Sequence, residues 1–416
     1  MCFYLYICTF PFILWSVMGG NKQVVMGVNS DHVVTVYTLF SCTLLGCYWL
    51  IKRKSFIKRS HIFLLCLVVA YLVINIFVYN HKSITLITSH AVYIVISMWF
   101  IFFFKRKPIH LSYLIALGLL FVSSFLLIKL FQLGFGDWGR LTVPVFYDNS
   151  WSYFPLGYES SSDPNVLAFM LCIGSIYMFF TLPNKYTINI IFILSMMCSF
   201  LTLSRSSFLS FFISFLIVSV YSFFVLKKTQ LRLLALIMIS LAMSFVVMKN
   251  IPAVVTENNG ASFVTEPNIT EPNITEPNIT EPNITEPNIT ERIVSKASNS
   301  DRIARLKNAI VEISNLKTMF IGNGIGYSTL TQDPHNFYLS TIIDSGILIL
   351  AIVMMVLTKP LLMVSRTPTK SNVILGCMFL TIYYMFISLF YWQVRVLYFV
   401  IILLFTFVSI SKKSEQ

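Results

Sequence analysis

The residues able to do chemistry in this chain are few and lie among apolar ones. His335 and Asn336 follow Asp333-Pro334 within FIGNGIGYSTLTQDPHNFYLSTIIDSG, residues 320–346. Asp333 reads as a helix N-cap and Pro334 as the first helical position, which puts His335 in the first turn. A histidine there can act as a general base on a substrate hydroxyl, or it can make a hydrogen bond at an interface. Asp344 lies nine residues beyond His335, about 13 Å along a helix. A carboxyl that deep in an apolar segment should face inward and have a partner. Gly346 follows it and permits close approach of another helix.

Arginines form the second group. Arg205 occupies the turn Thr202-Leu203-Ser204-Arg205-Ser206-Ser207 between two apolar runs. Arg302 and Arg305 are one turn apart in the segment Asp301 to Ile313, where Ile303, Leu306, Ile310 and Ile313 form an apolar stripe. Ser300 can cap that helix, with Asp301 in its first turn. Guanidinium groups suit phosphate, which they bind through planar, bidentate contacts. The same residues also serve as solvated or snorkelling anchors. Asp163-Pro164-Asn165 resembles Asp333-Pro334 as a helix start, and Asn165 remains as a polar candidate beside it. Arg395 is a lesser candidate in a later turn.

Other patterns point away from familiar chemistry. The eight cysteines lie in apolar segments, with no CxxC or Cys/His spacing, and read as packing residues, so no metal is expected. Gly322, Gly324 and Gly326 resemble a phosphate loop but lack the surrounding strand–helix unit, so they read as flexible glycines beside a site.

The elements that must position these residues are apolar spans. Of 416 residues, 56% are hydrophobic, 15% aromatic and 11% charged, with mean hydropathy +0.78; soluble domains carry about 25% charged residues. Twelve runs are long enough to cross a membrane: 2–19, 33–51, 62–79, 84–104, 109–131, 164–182, 187–203, 206–226, 231–249, 336–358, 372–391 and 394–410. The first has no basic flank and reads as a retained span. The net charge of +13 comes from clusters between runs, such as Lys52-Arg53-Lys54 and Lys105-Arg106-Lys107. With both termini inside, the inner loops hold 17 basic residues and one acid, Glu415. That asymmetry fits the positive-inside rule and removes any need for nucleic acid as a partner.

Three regions follow: residues 1–249 with nine spans, 250–335 as a large outer loop, and 336–416 with three spans and a short inner tail. A smaller outer loop, 132–163, is rich in Gly, Trp and Tyr. The large loop contains five TEPNI repeats over 265–289. Proline at every fifth position excludes a continuous helix, so the tract reads as an extended spacer. Its Asn-Ile-Thr sequons are expected to carry no glycan.

Together these features resemble the O-antigen polymerase and ligase superfamily. Its signature of His-Asn, nine residues and Gly matches His335-Asn336 and Gly346, and an acidic residue two before the glycine matches Asp344. Ser204-Arg205 resembles the family's Ser/Thr-Arg turn, and Arg302 its arginine opening the helix ahead of the Gly-rich stretch. Ile349 departs from the Gly, Thr or Tyr that ligases often carry there, which favours polymerase. The resemblance implies an all-α, GT-C-like polytopic protein of about twelve spans in a bacterial inner membrane, with cytoplasmic termini and a periplasmic site. It implies a metal-independent, inverting glycosyltransferase that needs no cofactor and uses undecaprenyl-diphosphate-linked oligosaccharide. His335 would be its base; Arg205, Arg302 and Arg305 would hold the diphosphate; Asn336, Asp344, Gly346, Asp163 and Asn165 would support them. A chain-length regulator in the same membrane is the expected protein partner. Ligation of the glycan to lipid A-core is the alternative. Transport of the same lipid-linked sugar is a remoter one, since no internal repeat accompanies the spans.

Overall fold

The computed structural model describes residues 24–25, 28–29, 108–135, 140–142, 145–147, 150–152, 164–183, 185–251, 296–328, 334–366, 371–390 and 394–413. The first four spans, the TEPNI tract, Asp163 and Asp333 lie outside them. Helix dominates the described residues: α1 (Pro108–Leu133), α2 (Pro164–Thr181), α3 (Tyr186–Leu201), α4 (Arg205–Phe224), α5 (Leu231–Asn250), α6 (Lys296–Ile313), α7 (Leu316–Ile321), α8 (Phe337–Ser365), α9 (Ser371–Ile387) and α10 (Val394–Lys413). Two short antiparallel hairpins complete them: β1 (Val24–Val25) with β2 (Val28–Asn29), and β3 (Val145–Tyr147) with β4 (Ser150–Ser152). Among the described residues, α1, α2, α4, α5 and α8 are long and apolar enough to cross a membrane, and α3, α9 and α10 supply shorter apolar stretches.

The bundle is centred on α2. Sixteen of its 18 residues are buried, the pattern of a helix apolar on every side and enclosed by others. It packs against α1, α3, α4, α9 and α10. Buried hydroxyls find one another across these contacts: Tyr177 Oη lies 2.8 Å from Thr406 Oγ1 on α10 and accepts from Ser112 on α1. Such pairs satisfy polar atoms where no water is at hand.

The bundle has two distinct ends. At one, Leu141 N donates to Leu201 O at the end of α3, and Ser204 and Asn165 meet at the starts of α4 and α2. At the other, Arg232 of α5 donates to Asn189 of α3 and stacks 4.7 Å from the Phe179 ring of α2. β1 lies beside β3, which groups two connecting segments at one place.

Helix limits differ from sequence expectation at two places. The tenth run, expected over 336–358, forms a helix reaching Ser365, with a break in helical geometry at Gly346 (φ 81°, ψ 167°). The helix expected to start after Ser300 begins at Lys296, so Ser300 and Asp301 are interior to it. Its expected stripe is also divided: Ala309 is buried and Leu306 and Ile313 half-buried, while Ile303 and Ile310 are exposed.

Candidate functional site

The Arg205 turn is built by capping. Ser204 is the N-cap of α4, accepting from Ser207 N, and donates to Asn165 Oδ1 at 2.7 Å. Arg205 is therefore not a loop residue but the first residue of α4, with an exposed side chain. Below it, Ser207 Oγ lies 2.6 Å from Tyr383 Oη of α9, and both are buried. Asn165, a marginal candidate in the sequence, thus shares a hydrogen bond with the residue next to Arg205. Tyr383 gave no signal at all, because it lies 176 residues from its partner. The α4 first turn holds no acidic residue. A cation at a helix N-terminus is disfavoured by about 0.3–1 kcal/mol through the helix dipole.

The His335 segment has the same construction. Asn336, and neither Asp333 nor Pro334, is the N-cap of α8: its side chain accepts from Leu339 N at 3.1 Å and donates to Leu389 O at the end of α9. His335 is consequently outside the helix, immediately before the cap, not in the first turn as its position after Pro334 suggests. The reason is that Asn336 can satisfy both Leu339 N and the neighbouring helix end. His335 takes φ +50°, and so does Leu203, immediately before the Ser204 cap. Left-handed backbone at non-glycine residues is costly and collects at functional sites. His335 is half-buried.

Aromatic rings join the two helix starts. Phe337 contacts Tyr384 (6.0 Å between centroids), Tyr384 contacts Phe169 (6.2 Å), and Phe169 stacks on Tyr383 (5.3 Å), which reaches Ser207. His335-Asn336 and Ser204-Arg205 therefore occur at one end of the bundle on a shared rigid floor.

The glycine-rich stretch holds an anion belonging to the chain itself. Asp344 is 5% exposed and accepts from Gly326 N (3.0 Å) and Ser328 N (2.8 Å). Gly322, Gly324 and Gly326 all have positive φ, between 79° and 104°. Asn323 N donates to Ile343 O and Gly324 N to Asp344 O. These glycines are not flexible spacers: the loop closes Gly326 N and Ser328 N on the Asp344 carboxylate as a small nest of amides, while Asn323 N and Gly324 N bond to backbone carbonyls of α8. A Cβ on Gly346 would lie 2.1 Å from Phe320 O, and one on Gly322 would lie 2.4 Å from Ser345 N. Gly346 does permit close approach, and it also ends the first helical segment of α8.

Through this nest α6 and α7 are fastened to α8. Asn323 links Thr318 (3.2 Å) with Glu312 (3.4 Å), and Tyr327 donates to Glu312. Arg305 is half-buried on α6, and Arg302 is on the same helix one turn earlier. Neither Glu312 nor Tyr327 stood out in the sequence, because each is an ordinary polar residue until the loop folds back. Among the described residues, no group of three or more His, Cys, Asp or Glu side chains is placed to hold a metal ion.

No protein-family model matches the chain, and neither does any curated protein or solved structure.

Proposed function

We propose that the protein is an O-antigen polymerase, transferring an undecaprenyl-diphosphate-linked glycan to a sugar hydroxyl of another lipid-linked repeat unit. The observation that supports this reading is the placement of Arg205, at the first position of α4, on the same end of the bundle as His335-Asn336, joined through Tyr383, Phe169, Tyr384 and Phe337. A diphosphate there would be attracted by both the guanidinium and the helix N-terminus. Arg302 and Arg305 would add charge from α6. This is the electrostatic task of the reaction, because the leaving group is already a lipid diphosphate and only its charge needs stabilising. His335, at the start of α8 on the same end of the bundle, would take the acceptor hydroxyl proton as that oxygen attacks the anomeric carbon with inversion. Asn336 would fix the His335 backbone by capping α8, and Asp344 with Gly346 would hold the loop that carries α6 beside it. On this reading the site faces the periplasm of a bacterial inner membrane, within a GT-C-like bundle of twelve spans.

The test is a purified transfer assay with lipid-linked repeat units, paired with the lipopolysaccharide pattern of a deletion strain. Polymerase loss should leave lipopolysaccharide with a single repeat. Bare core with accumulated lipid-linked polymer would replace polymerase by ligase, and an active chain that only moves lipid-linked sugar across vesicles would make it a transporter.

A further inference from the structure

We propose that α6, α7 and the glycine loop form a re-entrant element whose exposed apolar face lies among the phospholipid acyl chains at the Arg205 end of the bundle. Only the membrane-spanning character of the bundle enters here, so failure of this inference and failure of the transferase reading are separable.

Depth comes from hydrogen bonds and helix lengths. Phe337 N donates to Ser388 O, and Tyr338 Oη donates to Met385 O, so α8 begins level with the end of α9. The 17 residues of α9 measure about 26 Å at 1.5 Å each, close to the thickness of a hydrocarbon core of about 30 Å. That level is therefore near the membrane surface. Asp344 is seven residues further along α8, about 10 Å below it. Gly326 and Ser328 are bonded to its carboxylate, so the glycine loop lies at the same depth. Gly346, deeper by two residues, lies against the Phe320 carbonyl of α7.

Irregular backbone inside a membrane is tolerated only where protein or a wet cavity satisfies it. The loop meets that condition on one side: Gly322, Gly324, Ile325, Gly326 and Ser328 are buried, and amides of Asn323, Gly324, Gly326 and Ser328 all bond to α8. Its other side is uncovered and carries apolar side chains, with Ser314, Asn315 and Lys317 exposed among them. Leu316 is 70% and Ile321 61% exposed, with Phe320 between them and Val311 on α6 also exposed. This patch adjoins Gly346, just where the exposed face of α8 begins at Leu348 and continues through Ile352 and Met355. Acyl chains are the occupant we assign to it, because the patch adjoins the exposed apolar face of α8, a helix long and apolar enough to cross a membrane. Lys307 and Lys317, exposed on the same two helices, can reach headgroup phosphates while their stems stay in the apolar layer.

The experiment uses the full-length chain in phospholipid nanodiscs, with Leu316→Cys, Ile321→Cys or Lys307→Cys, and the parent chain as baseline for its own cysteines. A charged, membrane-impermeant maleimide should label position 307 readily and positions 316 and 321 at least about tenfold more slowly. An apolar setting raises a thiol's pKa, and each unit removes a factor of ten in thiolate. A fluorophore placed at 321 should be quenched by spin labels on the acyl chains. Labelling at 316 and 321 as fast as at 307 would overturn the inference, because the face would then be in water. Slow labelling without acyl-chain quenching would overturn it too, because protein would then be the occupant.

Discussion

His335→Ala is expected to abolish polymer formation while leaving donor binding nearly unchanged, since the proposed role of the ring concerns only the acceptor proton. Loss of a general base costs about 10²–10⁴-fold in rate, enough to erase a polymer ladder. Arg205→Ala and Arg305→Ala should weaken donor binding, and lysine should rescue either poorly because it lacks the bidentate fork. Donor affinity and turnover of the purified variants separate these roles; lost affinity in His335→Ala with retained affinity in Arg205→Ala would reverse them. Asn336 has a different kind of task. Asn336→Ala removes both the cap on Leu339 N and the bond to Leu389 O, and should cost about 1–2 kcal/mol, read as a lower thermal midpoint in lipid. Asn336→Asp retains the cap and loses the donor, so it should fall between. Residue types and spacing were legible here, but not who caps: His335 followed a plausible Asp-Pro start in the sequence, and only the fold shows Asn336 with two partners to satisfy.

At the scale of elements, the attachment of α7 to α8 is a reciprocal fit of backbone against backbone. Gly346→Ala would place a methyl 2.1 Å from Phe320 O, with no flexible atom to yield. Asp344→Ala would leave the amides of Gly326 and Ser328 buried without their acceptor, at about 1–3 kcal/mol each. Both variants should release α6 and α7, read as faster proteolysis within residues 296–328, with Asp344→Asn intermediate because one acceptor oxygen remains. Unchanged protection in Asp344→Ala would mean the nest is held by other contacts. The apolar runs of α1 to α5 and α8 to α10 were legible from composition alone, since twenty apolar residues leave few alternatives. The amphipathic stripe was not: its period identified a helix, but Ile303 and Ile310 turned outward. A protein neighbour and a lipid neighbour impose the same hydrophobic pattern, and sequence does not tell them apart.

For the whole molecule, the distribution of basic residues predicts that both termini face the cytoplasm and residues 250–335 the opposite side. Alkaline phosphatase fused near Asn258 should be active and near Arg59 inactive; the reverse would turn the bundle over and put the Arg205 end in the cytoplasm. Deleting two or three TEPNI units should leave transfer intact at normal protein level, because a tract without an apolar pattern has nothing to bury. Loss of polymer from that deletion would give the tract a direct part in the reaction.

The enclosure of α2 has a consequence for how the chain is made. Membrane helices enter the bilayer before they associate, yet two partners of α2 come at the end of synthesis. Tyr177 waits 229 residues for Thr406, and Phe169 stacks on Tyr383. Until α9 and α10 arrive, the most central helix has an open flank and Tyr177 has Ser112 but not Thr406. A stop codon just after α8 would thus spare every residue of the proposed chemistry and still deny the molecule its closure. Alleles of that kind would lose polymer through failed assembly and clearance by membrane proteases, with the reactive groups themselves untouched.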